Sequence, residues 1–160
     1  MASVLEYLQG RGQVFTVIPL ARTPTAEGRA RAVHVPTELV VMTVLAIGKD
    51  GMALLVIPAS RMLDLDLLAE ALGDPEARLA TDWELERQFP NYEPGALPPL
   101  SMMLLVPMYV DPAVIERHEI VFAAGRRYVS IKMTTSDLFG NDPVVITPLT
   151  AESRVVAGAS

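Results

Sequence analysis

A chain of 160 residues is the size of one domain, and at that length roughly 68–70% of the unfolded surface can be buried. It is 51% hydrophobic, yet holds no run of about 18 apolar residues and no basic stretch ahead of an apolar one at its N-terminus, so a soluble, untargeted, cytoplasmic protein is expected. Its 13 basic and 19 acidic residues leave a formal charge of −6, which opposes broad attraction to phosphate backbones and confines any nucleic-acid contact to a local patch. The absence of cysteine excludes disulfides, thiolate nucleophiles and Cys-based metal sites.

Ser3 and Glu6 stand at capping-box spacing, and Val4, Leu5 and Leu8 mark one face of a short helix ending near Gly10 and Gly12. Val14 to Ile18 alternates like a strand. Pro24 and Thr25 open a second helix bearing Ala26, Ala30 and Val33, closed by Pro36. Two apolar runs, Val40 to Ile47 and Met52 to Pro58, flank Gly48-Lys49-Asp50-Gly51 and read as a hairpin. Neither run alternates, so both faces of this hairpin are expected to be covered.

Asp64 is the expected N-cap of an amphipathic helix from Leu65 to Leu72, stopped by Gly73. After a short apolar piece, Arg78 to Ala80, Thr81 and Glu84 form a second capping-box pattern for a helix reaching Phe89. Four prolines and Gly95 make Pro90 to Pro99 a shaped loop. Strands are expected at Met103 to Val110, Glu119 to Ala123 and Tyr128 to Met133, the last two joined through Gly125-Arg126-Arg127. Interspersed helices and strands without strict βαβ alternation indicate an α+β fold with a mixed sheet. One domain is expected over 1–160, with its core at about 14–140 and a partly disordered tail from about 143.

Little of this is conventional catalytic material. There is no Gly-rich phosphate loop, no G-x-S-x-G and no H-E-x-x-H, and two distant histidines make a poor metal site, so neither metal nor cofactor is expected. His34 and His118 read as structural and surface residues; Asp64 and Asp66 point apart, as capping requires. Arg22, Arg29 and Arg31, and separately Arg126, Arg127 and Lys132, are the local basic patches, read first as solvated surface. The loop "FPNYEPGALPPLS" and the Gly125 turn remain, because glycine permits positive φ and close backbone approach while prolines fix the path, so that N–H groups can be held toward a ligand.

In order along the chain, "TAEGRARAVHVP", the hairpin ending "VIPAS", "RMLDLDLLAEALG", "RLATDWELERQFPNYEPGALPP", "VPMYVD" and "IVFAAGRRYVSIKM" resemble the YbaK/ProX family of aminoacyl-tRNA deacylase domains, over about Phe15 to Phe139. The resemblance implies a mixed, barrel-like β-sheet with surrounding helices and a pocket between strands. It implies hydrolysis of the ester of mischarged tRNA, a small amino acid on a proline or related tRNA, with aminoacyl-tRNA and a synthetase as partners. Family members place a lysine at the start of the first hairpin strand, where this chain has Met42 followed by Thr43. Leu20 stands where members often carry histidine, and Pro98-Pro99-Leu100-Ser101 where many have P-P-F-G. The family's small-residue turn persists in part as Ala123-Ala124-Gly125, and Ser130 lies near a position that is often acidic in relatives.

A thioether supplies no charge and only a weak acceptor, so no catalytic residue is assigned. The expected substrate-binding set is Met42, Thr43, Gly95, Ala96, Pro98, Gly125 and Ser130. The competing expectation is a catalytically silent relative whose apolar pocket, lined by Met42, Leu20, Met102 and Met103, takes a small apolar ligand, a tRNA 3′ end or a protein partner.

Overall fold

In the computed structural model, residues 3–19, 39–140 and 142–151 are described. The helix expected from Pro24, together with Leu20, Arg22, Arg29, Arg31 and His34, lies outside them, as does the chain beyond residue 151.

Helix α1 (Val4–Gly10) starts where Ser3 accepts a hydrogen bond from the Glu6 N–H at 3.1 Å. Strand β1 (Thr16–Pro19) follows. The hairpin forms as expected: β2 (Val41–Gly48) and β3 (Gly51–Pro58) pair antiparallel from Val41 opposite Pro58 to Gly48 opposite Gly51. Only Lys49 and Asp50 are left to turn, and Gly51 takes φ 115°, open to glycine alone at little cost.

Helix α2 (Leu65–Leu72) is capped by Asp64, whose carboxylate accepts from the Asp66 and Leu67 N–H groups, and ends at Gly73 in the left-handed region. The strand β4 (Arg78–Leu79) precedes α3 (Asp82–Gln88), where Thr81 and Glu84 satisfy each other's backbone N–H groups in a complete capping box. The remaining elements are α4 (Ser101–Leu104), β5 (Met108–Val110), α5 (Pro112–Ile115), β6 (Glu119–Ala123), β7 (Val129–Thr134), α6 (Thr135–Phe139) and β8 (Val145–Ile146).

Two expectations are corrected here. The apolar run from Met103 to Val110 is not one strand: α4 occupies its start, Leu105 turns the chain at φ 59°, and only Met108–Val110 pairs with β3. An apolar run cannot by itself distinguish a buried strand from a helical turn. Here the Ser101 hydroxyl donating to the Val106 carbonyl at 2.7 Å, the Asp142 carboxylate accepting from the Met102 N–H, and Pro107 decide for the turn. The stretch expected to begin a loose tail near 143 is instead anchored through Thr150. β8 extends the sheet beside β5, and the buried Asp111 carboxylate accepts from the Leu149 N–H, the Thr150 N–H and the Thr150 hydroxyl.

The strands form two sheets, β1-β7-β6 and β4-β2-β3-β5-β8, the second mixing parallel and antiparallel pairs. They meet at one parallel bridge, Val40 to Val121. The sheet is therefore mixed, as expected, while its strands close into no barrel among the described residues. Inner-face residues Val41, Leu45, Leu54 and Val56 of the hairpin join Ile120, Phe122, Ile131 and Met133, together with Val4 and Leu8 of α1, in the main core. On the outer face, Ala46, Leu55 and Ile57 pack against Leu68 of α2 and Leu149. Both hairpin faces are thus covered along most of their length, which is why neither run alternates.

Candidate functional site

On the outer face, Met42 near the start of β2 is 37% exposed, although Val40 before it and Ile57 opposite it are buried. The neighbouring strands set what surrounds it. Ile18 on β1, Ser130 on β7 and Ala123 on β6 are direct cross-strand partners. Because β2 runs parallel to β6 through the Val40–Val121 bridge, Met42, two residues on, falls in the same row as Ala123, with its side chain on the same face. The row Ile18, Ser130, Ala123, Met42 crosses four strands and both sheets.

Ser130 is the polar member of that row. It is fully buried, and its hydroxyl has no hydrogen-bond partner among the described residues. A buried hydroxyl left unpaired costs about 1–3 kcal/mol, and such exceptions ask for a reason. The Thr43 hydroxyl is likewise buried and without a partner among the described residues. Strand alternation, however, turns it to the inner face, in register with Val56 and flanked by Val41 and Leu45 of the main core. The adjacent pair singled out in the sequence is thereby split between the two sides of the sheet.

The loop and the turn come together. Gly125 donates its N–H to the Ala96 carbonyl at 2.9 Å, and its own carbonyl accepts from the Glu93 N–H at 2.9 Å. Arg127 adds an ion pair to Glu93 at 3.1 Å. Gly125 sits at φ 91°, and a Cβ there would lie 3.2 Å from Tyr92 Cδ1, so both conformation and space call for glycine. Gly95 sits at φ 85° at the exposed loop apex.

The Ala96 N–H is spent inside the loop on the Glu93 carbonyl at 3.0 Å. Those of Gly95 and Leu97 donate to nothing among the described residues. Ala96 and Pro98 are buried behind the apex, the Pro98 carbonyl accepting from the Leu100 N–H. The turn, only two residues beyond Ala123, also borders a cavity of about 310 Å³ lined by Ser3, Asn91, Tyr92 and Arg126.

The three basic residues of the second patch have different surroundings. Arg127 is tied to Glu93, Arg126 projects from the turn into solvent, and Lys132 sits half-buried on the outer face, two residues from Ser130. The strongest charge perturbation lies elsewhere: Arg78 grips Glu84 in two hydrogen bonds and lowers its carboxyl to about 2. Burial raises the Tyr92 hydroxyl. No group of three or more potential metal ligands occurs among the described residues, and no helix among them is long and apolar enough to cross a membrane.

With this geometry in place, the sequence matches the aminoacyl-tRNA editing domain over residues 21–140. The chain belongs to that family. Among solved structures, a proposed trans-editing enzyme for prolyl-tRNA synthetase is 26% identical, with TM-score 0.80, covering 89% of this chain and 91% of its own. A hypothetical protein at 22% identity has TM-score 0.83 and covers 92% and 98% of the two chains. A proposed signal transduction protein from Marinobacter aquaeolei VT8 shares the fold at 18% identity and TM-score 0.69, over 91% of this chain and 30% of that larger one. No curated protein matches the chain in sequence.

Within this editing domain, sequence reasoning had selected Met42, Ser130, Ala96 and Gly125 but not the row that unites the first two. Ala123 is expected from the sequence as a strand end and part of a turn, and Lys132 as a strand residue and surface charge, neither as part of a site. For Lys132 the signal is its two-residue spacing from Ser130 on one strand, and for Ala123 it is only the register of β6 against β7, so both acquire meaning once the β1-β7-β6 register and the bridge to β2 are known.

Proposed function

We propose that this editing domain acts in trans as an aminoacyl-tRNA deacylase, hydrolysing the ester between a small amino acid and the 3′ end of a proline or related tRNA. The observation that carries the reading is the buried, unpartnered Ser130 hydroxyl in one row with Met42 and Ala123. A site built to receive a ligand polar group leaves its own group unpaired when empty.

In this reading the aminoacyl side chain lies on Met42 and Ala123, and the Ser130 hydroxyl accepts a hydrogen bond from the α-ammonium. The N–H groups of Gly95 and Leu97 hold the attacking water or the developing oxyanion. Water adds to the ester carbonyl, the bond to the ribose 3′-oxygen breaks, and that oxygen takes the proton. Met42 contributes an apolar floor and no charge, so activity rests on orientation and backbone donors. Thr43 supports the floor from the inner face. A synthetase that hands over mischarged tRNA and a cytoplasmic location belong to the same proposal.

The part-exposed, uncharged side chain of Met42 favours one rival, a catalytically silent binding module. Hydrolysis of a panel of mischarged tRNAs by the wild type and Met42→Lys separates the two. Turnover by the wild type that falls about 10²–10³-fold when Gly95 is replaced by a bulky residue supports the deacylase. No wild-type turnover on any tRNA, with activity gained by Met42→Lys, supports the silent module.

A further inference from the structure

The outer face continues one row past Ser130. In that row Thr16 of β1, Lys132 of β7, Val121 of β6 and Val40 at the start of β2 are partners across the sheets. Two residues along a strand span about 6.7 Å, so the Lys132 backbone lies one such step from Ser130. Its flexible four-carbon stem rises on the same side of the sheet. On the outer face of these four strands the other charged residue is Glu119, a row further on and opposite Thr134. Lys132 pairs with neither Glu119 nor any other carboxylate among the described residues.

The chemistry of the proposed substrate supplies an anion at the corresponding distance. In aminoacyl-tRNA the ester and the nearest phosphodiester are separated by a single ribose. With the aminoacyl group over Met42 and Ser130, that phosphodiester must lie about one row away. A chain of net charge −6 cannot hold it by a diffuse field, so a single placed cation is required. Arg127 is engaged by Glu93, and Arg126 lies at the turn beyond Ala123, on the side of the row away from Lys132.

Resting on the deacylase reading above, we infer that Lys132 is the phosphate anchor of the site, its ammonium binding the phosphodiester that joins the terminal adenosine to the penultimate nucleotide. Lys132 positions the ester over the Met42–Ser130 row and takes no part in the bond-breaking step. The field of this one lysine fixes the direction in which the acceptor end crosses the face, from Lys132 toward the Gly95 loop.

The test pairs steady-state hydrolysis of mischarged tRNA over a salt series with binding of an uncharged RNA minihelix ending in CCA, using the full chain. Lys132→Gln raises KM about tenfold with kcat within about twofold, and lowers the slope of log(kcat/KM) against log salt by about 0.7, the value of one phosphate contact on a single strand. Lys132→Arg restores most of the KM. Lys132→Met, which keeps the apolar stem, behaves as the glutamine variant does and guards against a folding defect.

Arg87→Gln removes the same charge from α3, where Arg87 stacks on Trp83, and leaves KM unchanged. An unchanged KM and slope in Lys132→Gln, or an equal change in Arg87→Gln, overturns the anchor. If the wild type hydrolyses no mischarged tRNA, the deacylase reading fails, and minihelix affinity then decides for the anchor alone. A weakening of about tenfold in Lys132→Gln sustains it, and equal affinities, or no binding by the wild type, reject it.

Discussion

Replacing Ser130 by alanine should make the protein more stable and less active at once. The hydroxyl is fully buried and has no partner among the described residues, so in the empty protein it is desolvated without return. Removing it relieves a cost of about 1–3 kcal/mol, offset in part by the small void left behind, for a net gain of about 1 kcal/mol. In a domain of this size that corresponds to a rise in Tm of about 2–4 °C. The lost hydrogen bond to an α-ammonium is charge-assisted and worth about 1.5–3 kcal/mol, so kcat/KM should fall by about 10- to 100-fold. Thermal unfolding and hydrolysis of a mischarged tRNA, measured on the same preparation, read both effects. A Ser130→Ala protein that loses stability, or that keeps full activity, would refute the assignment of this hydroxyl to the ligand.

Thr43→Val removes the comparable orphan on the inner face. It should raise Tm by a similar amount while kcat/KM stays within about twofold, which distinguishes the two hydroxyls. Gly125→Ala should destabilise by about 1–3 kcal/mol in denaturant titrations, because it forces a Cβ into positive φ and to 3.2 Å from Tyr92. Asp111→Ala removes the carboxylate that accepts from Leu149 and Thr150 and should cost about 3–5 kcal/mol, with accelerated amide exchange at Leu149 and Thr150. The Glu84 carboxyl should titrate by NMR near 2 rather than 4.5, held down by its hydrogen bonds to Arg78. Its folded value is depressed, so the stabilisation from this pair is present above about 4.5 and is lost as the pH falls toward about 2.

Local features were legible in the sequence where one side chain decides them. Asp64, Thr81 and Ser3 each cap the helix their spacing announces, and the Gly48–Gly51 turn closes the hairpin. The glycine at 125 takes the positive φ that its place in a turn implied. The run Met103 to Val110 was not legible, because its composition suits a strand and a helical turn equally; Asp142, 40 residues from Met102, helps settle it. The anchoring of the chain near Leu149 was equally hidden, since its partner Asp111 is 38 residues away.

The candidate site divides along the same line. From the sequence alone come the family, the absence of a cationic side chain at position 42, and the pairing of a Gly/Pro-rich loop with a glycine turn as the parts to watch. These are properties of residue identity and order, which short-range chemistry and resemblance can read. Only the tertiary structure could place Met42 and Ser130 in one row, turn Thr43 to the opposite side of the sheet, and bring Lys132 onto the face they share. The physical reason is the two-residue period of a strand. A side chain's face is fixed by register against strands distant in sequence, and a shift of one residue in any of them would exchange every side chain between core and site.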